Sequence, residues 1–133
     1  MGNLNSTIKF CNFENVKSAI KNNIILINTL PDNNQECLIE GTIDIESEVK
    51  LLNELIKEKK SIKKENKNYE IIIYGKNGSD YSILKKYNQL NKLGFKNIVI
   101  YSGGLFEWLL LQEVYGFENF PTTSLELDIL KYK

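Results

Sequence analysis

The sequence contains no histidine and no arginine; all seventeen of its basic residues are lysines. Without histidine there is no imidazole base, so Ser-His-Asp and Cys-His machinery are excluded. Without arginine there is no planar fork for bidentate capture of phosphate or carboxylate. Abundant Lys, Asn and Ile beside this void fit an AT-biased genome. Cysteine is nearly as scarce: Cys11 and Cys37 stand far apart, form no CxxC pair and have no His to complete a metal set. Two isolated thiols suit a reducing, cytoplasmic setting, and both are expected to be small buried hydrophobes. No metal and no cofactor are expected.

Long apolar runs are missing too. "IILI" (24–27) and "WLLL" (108–111) fall far short of the ~18–20 residues that span a bilayer. Seventeen acidic residues cancel the lysines, so the charge excess of a nucleic-acid-coating protein is absent and no nucleic-acid partner is expected. The start shows no charged-then-apolar leader. It does read "MGNLNS" (1–6), which fits M-G-x-x-x-[ST] and makes Gly2 a candidate for myristoylation. One myristoyl chain binds membranes weakly, so peripheral membrane association is expected only if Gly2 is acylated, with Cys11 a weaker candidate for a second chain. The acidic cluster Glu40, Asp44, Glu46 and Glu48 lacks the alternating spacing of a Ca²⁺ loop and fits a solvated helix start.

What remains is 133 residues, 42% hydrophobic, enough for one core in one domain. Residues 1–6 are expected to be a flexible N-terminus, 7–123 the domain, and 124–133 a C-terminal tail. "TIKF" (7–10) is a short strand. "NFENVKSAIKN" (12–22) is a helix with Asn12 as N-cap and Phe13, Val16 and Ile20 on one face. "NIILINTL" (23–30), closed by Pro31, suits a buried parallel strand, and "ECLIEGTI" (36–43) a further short strand into a Gly turn. "IESEVKLLNELIKEKK" (45–60) is an amphipathic helix with Ile45, Val49, Leu52 and Leu55 or Ile56 on its stripe. A polar linker (61–68) leads to "YEIIIYG" (69–75), the strongest strand. A helix over 79–95, ending at Gly94, and a buried strand over 96–104 follow. "LFEWLLLQEVYG" (105–116) is apolar nearly all round, as a helix packed deep against a sheet would be. The alternation predicts an α/β fold: a central, mostly parallel, five-stranded sheet flanked by helices on both faces.

In such sheets ligands sit beyond the carboxyl ends of the strands. The Gly-rich loops there are "YGKNGSD" (74–80) and "YSGG" (101–104). The order "IILINTLP…GTI…IIIYGKNGSD…LGFKNIVIYSGGLFEW" resembles a rhodanese domain over nearly the whole chain. Gly94-Phe95, Gly103-Gly104 and Trp108 fall where that family has its G-F/Y, its GG and a Trp four residues on, and Gly41-Thr42-Ile43 resembles its G-H-I. By this resemblance the family's persulfide-carrying Cys aligns with Gly75, its loop Gly with Gly78 and its anion-holding Arg with Asp80. The D-x-R after the second strand reads Asn28-Thr29-Leu30.

The resemblance therefore implies a cradle without its nucleophile, since persulfide chemistry needs a thiolate among backbone N–H groups. Two readings of Gly75, Lys76, Asn77, Gly78, Ser79 and Asp80 stand open. A Gly-rich turn aims N–H groups at one point and favours a small anion, or the glycines only permit the turn while Asp80 caps the helix. "GKNGS" does not fit a Walker A loop. Trp108 and the leucines after it are expected in the core; Tyr115, Phe117 and Phe120 are candidates for an aromatic docking surface. The expected function is a catalytically inactive rhodanese-like domain acting as a binding or regulatory module toward a protein partner or a small anion. The alternative is a thiosulfate-type sulfurtransferase carrying sulfur on Cys37 or Cys11. The related phosphatases need both the Cys and the Arg and are set aside.

Overall fold

The computed structural model describes residues 8–22, 24–62 and 69–133, with the side chains of 58–62 excepted. Gly2 and its acylation signal therefore lie outside the described residues, as does most of the 61–68 linker. Strand β1 (Lys9–Cys11) leads into helix α1 (Phe13–Lys21), then β2 (Ile25–Asn28), α2 (Ile45–Ile62), β3 (Ile71–Tyr74), α3 (Ser82–Lys92), β4 (Ile98–Tyr101) and α4 (Gly104–Tyr115). The strands form one parallel sheet in the order β1-β4-β3-β2. Short 3-10 turns cover Asp32–Asn34 and Ile129–Tyr132.

Local chemistry starts α1 as the sequence predicts. Asn12 Oδ1 accepts the N–H groups of Glu14 and Asn15 at 3.0 and 3.1 Å, while Asn15 Oδ1 accepts the Asn12 N–H at 3.0 Å. This reciprocal box satisfies donors that the first turn leaves orphaned. At the far end of α3 the chain turns at Gly94, whose φ of +99° is costly for any residue with a Cβ.

The sheet separates two apolar layers. Ile72 and Tyr74 of β3 face one way, toward Val16 and Ala19 of α1 and Leu105, Trp108 and Leu109 of α4. Ile71 and Ile73 face the other way, toward Leu52 and Leu55 of α2 and Ile83 and Leu90 of α3. Because successive strand side chains alternate between faces, the Ile-rich run of β3 is buried on both sides.

The described residues contain four strands rather than five. The predicted strand over 36–43 does not join the sheet. Cys37, Leu38 and Ile39 are buried as expected, but their backbone partner is the distant segment 121–123: Ile39 bridges Thr122 antiparallel, Glu40 N–H donates to Pro121 O, and Thr123 N–H to Leu38 O. Gly41, at φ +95°, then turns the chain, and Ile43 N–H donates to Leu26 O at the β2 edge.

Two helix faces also differ from expectation. Val49, expected on the buried stripe of α2, is exposed, and Glu48 points inward instead, paired with Lys86 of α3 at 2.6 Å. A buried carboxylate is tolerated there because its charge is matched. Helix α4 buries only one side: Leu110, Val114 and Tyr115 are exposed. The segment 124–133 is irregular, yet it is anchored by Tyr132, which is buried.

Candidate functional site

The Gly75–Asp80 loop leaves β3 at the carboxyl edge of the sheet and is held from three sides. Its carbonyls close the start of α4: Leu105 N–H donates to Gly75 O and Phe106 N–H to Lys76 O, both at 2.9 Å. These are donors the first helical turn cannot satisfy itself. The approach is so close that a Cβ on Gly104, already at φ +68°, would lie 2.8 Å from the Asn77 backbone and from Gly75 O. Tyr74 O accepts the Thr29 N–H at 2.9 Å, tying the loop to the end of β2. On the third side Asn77 Nδ2 donates to Tyr132 O at 2.9 Å, while its Oδ1 accepts the Ser79 N–H at 2.8 Å.

The middle of this loop is occupied by its own carboxylate. Asp80 Oδ2 accepts the Lys76 N–H at 3.1 Å; Oδ1 accepts the Ser82 N–H at 3.1 Å and lies 2.8 Å from Ser82 Oγ. Because a carboxylate only accepts, the Ser82 hydroxyl proton is directed at it. The Thr29 hydroxyl sits 2.8 Å from Ser82 Oγ and completes the cluster. A Cβ built on Gly75 would meet Asp80 Oδ2 at 2.6 Å, Thr29 Oγ1 at 2.8 Å and Ile83 Cγ1 at 3.0 Å. The glycine is thus required for space, and the carboxylate fills that space.

Burial pushes the Asp80 carboxyl upward, but the hydrogen bonds from Lys76 and Ser82, with the Lys76 charge, outweigh it and hold it below the ordinary 3.8. The folded loop therefore binds this proton less tightly than the unfolded chain does. Its contribution to stability is complete above the ordinary carboxyl value and is lost as pH falls through the lower folded one. Asp80→Asn is expected to flatten the acid limb of stability against pH below 3.8. Urea unfolding at stepped pH measures this, and an acid limb identical in both proteins would contradict it.

Neither thiol lies in this loop. Cys37 is buried in the α1/α4 layer with its Sγ 3.4 Å from Ser124 O. Burial raises its pKa despite hydrogen bonds from Thr122 and Ser124. Cys11, half-buried at the end of β1, is pushed up to about 11 by burial and by the charge of Glu70. Thiols raised above their ordinary value are protonated near neutrality and are poor nucleophiles.

Of the predicted site residues, Gly75, Lys76, Asn77 and Asp80 come together; Gly78 and Ser79 are at the exposed tip. Gly78 turns against β4's end, where its Cβ would lie 2.8 Å from Ser102 O. Thr42 reaches the Tyr74 hydroxyl at 2.7 Å and donates to Ile39 O at 2.6 Å, while Tyr74 Oη accepts the Ile39 N–H at 3.1 Å. Asn28 is a structural residue: its Oδ1 accepts from Leu30 N–H and Gln35 Nε2 at 2.9 and 2.8 Å. An open cleft of about 800 Å³ lies beside the loop, between α2 and α3, with Thr29 and Ser82 on one wall and the Glu48–Lys86 pair in it. No cluster of His, Cys, Asp and Glu suited to a metal occurs among the described residues, and no described helix is long and apolar enough to cross a membrane.

Sequence reasoning missed the hydrogen bond from Asn77 to the chain's end and the buried hydroxyl network around Tyr74. Neither has a local signal, since the partners are 55 and 35 residues apart.

Comparison with known proteins agrees with this architecture. A family model described as "Rhodanese-like domain" matches residues 13–111. The solved structure of the BH2092 protein from Bacillus halodurans superposes with a TM-score of 0.58 at 16% identity, covering 98% of this chain and 93% of that one. The Alr3790 protein from Anabaena sp. gives 0.56 at 18% identity, covering 91% and 97%. A second structure, of the rhodanese-like domain of Alr3790, gives 0.54 at 18% identity, covering 87% and 79%. At such identities these likenesses concern the fold. No curated protein matches the chain.

Proposed function

The chain belongs to the rhodanese-like domain family, and from that premise we propose that it is a catalytically inactive member serving as a binding or regulatory module. The observation that carries this reading is the Asp80 carboxylate. It stands 2.6 Å from where a Cβ on Gly75 would be, in the space that a nucleophile's side chain and its sulfur cargo need. By resemblance Gly75 takes the place of the family's Cys, and the donors of the turn serve an internal anion instead of a persulfide. An anionic carboxylate also repels thiosulfate, sulfite or phosphate, which favours a protein over a small anion as the partner. The raised pKa values of both thiols weigh against a sulfurtransferase using Cys37 or Cys11.

A thiosulfate:cyanide assay on the full chain tests the proposal, with an active rhodanese as positive control. The expected result is no thiocyanate above background. Turnover that disappears in Cys37→Ser or Cys11→Ser would overturn the proposal in favour of the sulfurtransferase.

A further inference from the structure

The chain's charges cancel overall, but they are unevenly placed. From 97 to 130 there is no lysine, while Glu107, Glu113, Glu118, Glu126 and Asp128 all fall in that stretch. Glu107 is engaged by the Tyr101 hydroxyl at 2.8 Å and Glu126 by Lys131 at 3.0 Å. Glu113 and Glu118 pair with no lysine among the described residues.

Those two carboxylates flank apolar side chains that the fold leaves in water. Helix α4 turns Leu105, Trp108, Leu109 and Gln112 inward. On its outer side Leu110 and Val114, one turn apart, are 43% and 72% exposed; Tyr115 and Phe117 beside them are 60% and 43% exposed. Side chains at i and i+4 form one continuous ridge. An apolar ridge left uncovered, with aromatic residues beside it, has the composition of an interface centre.

We infer that this outer face of α4, with the turn after Gly116, docks a cationic amphipathic helix of a partner protein. The inference rests on the binding-module reading and names the partner class. The partner's apolar stripe covers Leu110, Val114 and Phe117, and its flanking lysines or arginines meet Glu113 and Glu118. Two helices packed side by side meet through such ridges, each using side chains at i, i+3, i+4 and i+7. Charge selects this occupant over the others. A second copy docking through the same face about a two-fold axis would gather Glu113 and Glu118 of both copies into one interface, which like-charge repulsion penalises. An anionic membrane surface would be repelled for the same reason.

The test uses the full chain and two fluorescein-labelled probe helices of about 20 residues, one with a leucine stripe and lysine flanks, the other with glutamate flanks. Anisotropy titration is expected to show saturable binding of the lysine probe and none of the glutamate probe. Two variants separate the contributions: Glu113→Lys/Glu118→Lys is expected to weaken the lysine probe at least about tenfold, and Val114→Asp to do the same through the apolar ridge. The side chains of Glu113, Val114 and Glu118 all face solvent, so thermal midpoints serve as the control that folding is intact. Three outcomes would overturn the inference: no lysine-probe binding up to about 1 mM, equal binding by wild type and either variant, or concentration-dependent self-association that Val114→Asp abolishes. Thiocyanate production in the earlier assay would sink the non-catalytic reading without touching these titrations, so the two failures are distinguishable.

Discussion

Trp108→Ala is expected to remove about 3–5 kcal/mol of stability, which is a large share of the ~5–15 kcal/mol available to a domain. Trp108 is fully buried and is the hub of an aromatic cluster. Its ring meets Tyr101 edge-on at 6.3 Å and Phe120 at 5.1 Å, with interplanar angles of 82° and 81°. Such pairs add to the value of the area they bury. The indole N–H also donates to Pro121 O at 3.1 Å, and that carbonyl accepts the Glu40 N–H as well. Truncation therefore leaves a cavity and loosens the bridge between segments 38–40 and 121–123, which hold no other place in the sheet. Gln112 Nε2, donating to Phe120 O at 2.8 Å, remains to hold the same turn, so the loss should stop short of abolishing the fold. Trp108 is the sole tryptophan, so urea unfolding is followed by far-ultraviolet circular dichroism. Trp108→Phe, which keeps most of the ring volume and loses the N–H, is expected to cost about half as much or less. A loss under about 1 kcal/mol for the alanine variant would show that the cluster is not the anchor of this face.

How far the sequence discloses this arrangement depends on how local each cause is. The Asn12 box, the four-residue run of β3 and the Gly94 stop are encoded within a few residues of where they act, and all three form. Segment 36–43 has the composition of a strand, but strand identity needs a partner, and the partner at 121–123 lies more than eighty residues away. The reversal on α2 has a similar origin. Spacing alone places Val49 inward, whereas the ion pair of Glu48 with Lys86 of α3 rewards a small rotation that apolar periodicity cannot encode. Helix α4 reads as uniformly apolar because its outer ridge is apolar too; no count of hydrophobic residues distinguishes a buried side from an uncovered one. At the candidate site, Asp80 as a cap for the helix start is legible from its place before α3. Its second bond, back to the Lys76 N–H across the loop, is a property of the closed turn and appears only in three dimensions.

That second bond yields a sharp test of whether the loop holds an anion cradle closed by its own aspartate. Gly75→Cys introduces the residue that the family resemblance aligns there, and it is expected to give a protein that is less stable by about 1–3 kcal/mol. The obstacle is space rather than backbone, since Gly75 is not among the glycines with positive φ. The new Cβ would lie 2.6 Å from Asp80 Oδ2, so the carboxylate must leave the Lys76 and Ser82 donors or the loop must open away from α4. Combining Gly75→Cys with Asp80→Ala removes the shortest of the clashes and leaves those with Thr29 Oγ1 at 2.8 Å and Ile83 Cγ1 at 3.0 Å, and the two changes should be coupled by about 0.5–3 kcal/mol in a double-mutant cycle. The vacated donors, the N–H groups of Lys76 and Ser82 and the Ser82 hydroxyl, would then face the sulfur instead. Hydrogen bonds to an anion favour the charged form. The introduced thiol of the double variant is therefore expected to alkylate with iodoacetamide faster than that of Gly75→Cys alone, where Asp80 is intact. Additive stabilities and equal alkylation rates would mean that Asp80 merely caps α3. Coupling with a faster thiol would mean that the loop keeps a working anion cradle and that its own aspartate closes it.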